Sequence, residues 1–134
     1  MSLDLFGEMF TVFVPKPSAE DIKLANALVK DGEQHADEGK EQQNYAEMAR
    51  TLIANAENDK SRAELSRIAV WHYERCANGF RHSVVSYESA AKIQKTEKSR
   101  RKLLKKAEMM AEFAMQAELS VLELMSDEKK RRVR

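Results

Sequence analysis

Apolar residues recur along the chain at spacings of three and four rather than two, a pattern that predicts helices and no strands. The first clear start is Ser18, which follows Val14-Pro15-Lys16-Pro17, a stretch that holds the chain extended. Ser18 offers an N-cap, and Glu20 and Asp21 put acids in the first turn, where the helix dipole favours them. This helix is expected to reach about residue 38, with Ile22, Ala25, Leu28, Val29 and Ala36 near one face. Gly32 weakens its middle, and Glu38-Gly39-Lys40 reads as its stop. The next helix has the cleanest period: Tyr45, Met48, Ala49, Leu52, Ile53 and Ala56. Asn58-Asp59 breaks it, and Ser61 is the candidate cap of a third helix striped by Leu65, Ile68, Ala69, His72 and Cys76, with Val70, Trp71 and Tyr73 beside them. Asn78-Gly79 permits a turn before a fourth segment carrying Phe80, Val84, Tyr87, Ala91 and Ile93. The pattern leaves open whether Gly79 ends one helix or interrupts a longer one.

A last helix is expected from about residue 97, capped by Thr96, to about 126. Between Ala107 and Met125 its main polar residues, Glu108, Glu112, Gln116, Ser120 and Glu123, make a narrow stripe, with Glu118 apart. Nearly everything else there is apolar, so this helix needs cover on several sides. Met109, Met110, Phe113, Leu119 and Leu122 are therefore candidate binding residues. Four of the seven Met fall between 109 and 125, which makes the surface soft and adaptable.

Composition agrees with the pattern. The 134 residues include only four Gly and two Pro, too few for a turn-rich β fold, and 34% charged with 43% apolar residues fits a globular chain. The expectation is an all-α single domain: a four- to five-helix bundle, or stacked α-hairpins, with a long C-terminal helix. Residues 1–17 are read as an extended apolar N-terminal segment, 18–126 as the helical domain and 127–134 as a basic tail. Charge is uneven: residues 1–60 hold 6 Lys and Arg against 12 Asp and Glu, and residues 61–134 hold 17 against 10. No apolar run reaches membrane-spanning length. The opening residues carry Asp4 and Glu8 without a basic start or small-residue cleavage site, so a cytoplasmic protein is expected. The single cysteine, Cys76, excludes an internal disulfide and reads as a buried, inert thiol.

Some segments resemble known modules. Phe80 to Ile93, with Tyr87, Ala90 and Ile93 in place, resembles the second helix of a tetratricopeptide repeat, although no second repeat recurs thirty-four residues away. Ala27 to Ala56, through Asn44-Tyr45-Ala46-Glu47, is similar to the opening hairpin of microtubule-interacting-and-transport domains. Ser2-Leu3-Asp4-Leu5-Phe6 resembles the peptide that docks bacterial replication and repair proteins on the DNA sliding clamp. That resemblance implies that Leu3, Leu5 and Phe6 fill an apolar groove, with Ser2 replacing the usual Gln. The alternative, which the apolar run through Val14 favours, is that these three side chains anchor the segment on the bundle.

Candidate chemistry is sparse. Arg75 and His82 have the Arg-x4-6-His spacing of the HEPN ribonucleases, and seven positions place them on one face of an unbroken helix. His82 would be the acid–base and Arg75 would stabilise phosphorane charge. His72 reads as a core histidine, His35 lies on an exposed turn, and neither belongs to a Glu-x-x-His metal pattern. No metal or cofactor is expected. Lys98, Arg100, Arg101, Lys102, Lys105 and Lys106 form a basic run able to neutralise phosphates, and Lys129 to Arg132 fit a nuclear import signal if the host is eukaryotic. Aromatics are not interleaved with these residues, so base stacking is not expected. The preferred expectation is a non-enzymatic interaction module, self-associating through its Met-rich last helix. A nucleic-acid-binding accessory protein is the alternative, and a HEPN-like ribonuclease is third.

Overall fold

The computed structural model describes residues 18–133, which form three long helices: α1 (Ala19–Ala54), α2 (Asp59–Ile93) and α3 (Glu97–Val133). The fold is all-α, as the spacing predicts, but with three helices rather than four or five. The expected extended segment 1–17 lies outside the described residues. Among the described residues, no helix is long and apolar enough to cross a membrane.

Both interhelical breaks fall where the sequence puts them. Ser18 caps α1 in a reciprocal box: its Oγ accepts from Asp21 N, and the Asp21 carboxylate accepts from Ser18 N, both at 3.1 Å. Asn58, rather than Ser61, caps α2, because its Oδ1 accepts from the Ser61 N–H at 2.8 Å. Thr96 Oγ1 accepts from Ser99 N at the start of α3. The expected stop at Gly39 does not occur, and at Gly79, where the pattern leaves a turn or a longer helix open, the helix continues; α1 and α2 run through both glycines. Residues 127–133, expected in a basic tail, form the end of α3, which continues to Val133.

The two glycines sit inside helices because a neighbouring helix presses there. Every buried residue of α1 is Ala or Gly: Ala25, Gly32, Ala36, Gly39, Ala46 and Ala49. Four of them recur at steps of seven (Ala25, Gly32, Gly39, Ala46), so a narrow small-residue stripe lets α2 approach closely. On α2 the same step of seven carries Tyr73, Phe80 and Tyr87, all buried. A Cβ at Gly32 would lie 2.9 Å from the Tyr87 ring, and one at Gly39 3.1 Å from that of Phe80. The same register sets Ala46 opposite Tyr73. These rings also reach α3: Phe80 packs on Phe113 with centroids 5.4 Å apart, and Lys106 Nζ lies 5.7 Å from the Tyr87 ring. α2 is thus the central helix, flanked by α1 and α3, which scarcely touch one another. Polar ties lock α2 to α1: the Ser83 hydroxyl donates to Gly32 O at 2.8 Å, and that of Ser86 to Asp31 at 2.6 Å.

Close packing through small residues has a consequence for the large ones. The periodic stripe of Tyr45, Met48 and Leu52 does not enter the core, and all three are exposed, as is Ile22.

Candidate functional site

Three surfaces result from this arrangement. The first is the back of α3. Its core side carries Leu103, Ala107, Met110, Ala114, Ala117 and Leu124, all buried. The opposite side, at steps of four and three, reads Glu108, Glu112, Met115, Leu119, Leu122, Ser126 and Lys129, all exposed. Met115, Leu119, Leu122 and the adjacent Met125 keep half or more of their surface in water. A shallow hollow of about 450 Å³ opens beside Leu119 and Leu122, bounded by Glu123, Ser126, Asp127 and Lys130. Of the expected binding residues, Met109, Leu119 and Leu122 are exposed, Met110 is buried in the core, and Phe113 is half-buried against Phe80. Helix geometry makes the division: the side of α3 that holds Leu103, Ala107, Ala114, Ala117 and Leu124 also takes in Met110 and leaves Met109, Leu119 and Leu122 off it. Leu3, Leu5 and Phe6 lie outside the described residues.

The second surface is the outer face of the α1–α2 hairpin, where Tyr45, Met48, Leu52, Ile68 and Trp71 are exposed together. His72 joins them: its Nδ1 lies 2.6 Å from Gln42 Oε1, and its ring packs on Tyr45 and Trp71. The Arg75 guanidinium sits 4.6 Å from the Trp71 ring centroid, a cation–π geometry. The sequence assigned these side chains to helix interiors and so missed them as a surface; their large size beside an all-small stripe was the available signal.

This face continues into an open cleft of about 450 Å³ lined by His35, Glu38, Glu41, Gln42, Arg75, Asn78, Gly79 and His82. The unbroken α2 therefore brings Arg75 and His82 to one place, and α1 adds His35, which lies within the helix rather than on a turn. The His35 and His82 rings are 4.9 Å apart. His35 also lies 3.4 Å from Asp31 and 3.3 Å from Glu38. No cluster of three or more His, Cys, Asp or Glu able to hold a metal occurs among the described residues. Cys76 is buried, and burial, with Glu47 nearby, pushes its thiol up to about 11, so it is no nucleophile.

The third surface is basic. Lys98, Arg101, Lys102 and Lys105 share one outward face at the start of α3. Arg101 is paired with Glu97 at 2.9 Å. Arg100 turns to the Gln94 carbonyl, and Lys106 is half-buried over Tyr87, so two of the six expected basics leave that face.

The chain matches no protein-family model, no curated protein and no solved structure.

Proposed function

We propose that the chain is a non-enzymatic helical interaction module whose last helix joins it to a second copy. What carries this reading is the apolar stripe on the back of α3, where Met115, Leu119, Leu122 and Met125 are open to water although α3 already has its core contacts. A row of large apolar side chains at steps of three and four is the face that a partner helix covers, and flexible Met suits a contact formed and released. The Arg75–His82 cleft supports a ribonuclease less well. Glu38 and Glu41 line it and would repel a phosphodiester, leaving Arg75 as the one fixed cation among the lining residues.

The test is the mass in solution. Light scattering at about 50 μM should give more than a monomer, the range expected of a small interface. Leu119→Glu with Leu122→Glu should return it to monomer with unchanged helicity. A monomer mass for the native chain would overturn the reading.

A second reading rests on the shared outward face of Lys98, Arg101, Lys102 and Lys105, which suits an anionic nucleic acid. Arg101→Glu with Lys105→Glu should then abolish retention on DNA or RNA at low salt, and native retention should fall steeply as salt rises. Equal retention of native and doubly reversed chains would dismiss it.

A further inference from the structure

Resting on the self-association just proposed, we infer that two copies join through α3 in antiparallel orientation, in a single register in which Glu112 of each faces Lys129 of the other. The argument begins with what flanks the stripe. On its N-terminal side stand Glu108 and Glu112, and on its C-terminal side Lys129. Among the described residues, neither Glu112 nor Lys129 forms an ion pair within the chain. A parallel pair of α3 helices would set Glu112 beside Glu112 and Lys129 beside Lys129. Reversing one helix turns both repulsions into attractions and opposes the two helix dipoles.

Register follows from the same row. Stripe positions alternate steps of three and four, so antiparallel partners interleave in layers, each position facing one of the alternate set. Placing Leu119 against Leu122 of the second copy brings Met115 against Ser126 and Glu112 against Lys129. Sliding one heptad in one direction sets Lys105 against Lys129, and in the other sets Leu119 against Lys129. Both slips are penalised.

The hollow on α3 gives an independent indication. It is lined by Leu119, Leu122, Glu123, Ser126, Asp127 and Lys130, and the first four are spaced as the hole that receives one side chain of a facing helix. In the register above, Leu119 of the second copy lies over it. Flanking positions carry no like-charge pair: Glu118 faces Met125, and Gln116 faces Glu123.

Cross-linking and charge reversal test this in the full chain with Cys76→Ala. Chains bearing Met115→Cys, mixed with differently tagged chains bearing Ser126→Cys, should give the mixed disulfide in preference to either homodimer. Glu112→Lys alone and Lys129→Glu alone should each weaken the dimer roughly tenfold, and the two together should restore it to within about threefold. A dimer that forms homodisulfides at both sites, or whose double reversal stays as weak as the singles, overturns the antiparallel register while leaving self-association standing. A monomer at every concentration overturns both.

Discussion

At Gly79 the contact between α2 and α1 is backbone on backbone. A Cβ at this position would lie 3.0 Å from the His35 carbonyl oxygen and 3.1 Å from Gly39 N, atoms that cannot turn aside. In an exposed helix interior, Gly→Ala gains about 1 kcal/mol. Here overpacking of about 1–3 kcal/mol opposes that gain and decides the sign. Gly79→Ala is expected to destabilise by up to about 2 kcal/mol in urea unfolding, and Gly39→Ala by less, since it meets a ring rather than a backbone. A stabilised Gly79→Ala chain would contradict the close approach. One position before Ala77 on the same helix, Cys76 is almost wholly buried, and its thiol is raised from 9.0 to about 11. Burial also raises Tyr87, with Glu33 adding to it. Because these folded groups hold their protons where the unfolded chain has released them, stability is whole below pH 9 and declines as pH rises toward 11. For Cys76 the loss is on the order of 2 kcal/mol. Urea midpoints at pH 8 and above pH 10 should show the decline, and Cys76→Ala should remove the larger part of it.

At the scale of elements, α3 has two sides that side-chain replacement should separate. Met110→Ala takes volume from the core and should cost about 2–4 kcal/mol of stability, whereas Leu119→Ala, half in water, should cost less than about 1 kcal/mol while weakening association. Thermal unfolding read beside the solution mass distinguishes the two. The sequence had no means of making this distinction for Met109 and Met110, neighbours of identical type that the fold places on opposite sides of burial. Helix class and both loops were legible, because Asn58-Asp59 and Thr96 are local signals: a cap side chain bonds an N–H three residues on. Gly39 carries the same local signal as a helix stop, and there it misleads. Its reason for being glycine lies on another helix, in the ring of Phe80 and the backbone of Gly79, and nothing adjacent in the chain announces it. The three helix joints at Gly32, Gly39 and Ala46 become visible in sequence only when their step of seven is set against that of Tyr87, Phe80 and Tyr73. Arg75 and His82 were legible as a pair by spacing. His35, Glu38 and Glu41, which complete their cleft and alter its charge, come from the other helix and were not.

Among the described residues, one apolar face lies on the α1–α2 hairpin and another on α3, and the chain's single tryptophan sits on the first. Trp71 is 53% exposed on the outer side of the α1–α2 hairpin, while the stripe inferred to join two copies is on the back of α3. If α3 is the joint, Trp71 remains in water whether or not the copies pair. Its emission should be that of a solvated indole, readily quenched by acrylamide, and should not move across the concentrations over which the mass rises. Trp71→Ala should change stability by no more than about 1 kcal/mol and leave the dimer intact. The Arg75 guanidinium over the ring then loses its partner, a contact worth about 0.5–1 kcal/mol where solvent reaches it, which sets the upper limit of that change. A blue shift that tracks the mass would place the joint on Tyr45, Met48, Leu52, Ile68 and Trp71 instead, and the assignment of α3 would fail. Constant emission with a rising mass leaves the hairpin face free in the dimer, so that pairing through α3 presents two such faces, one from each copy, to whatever binds them.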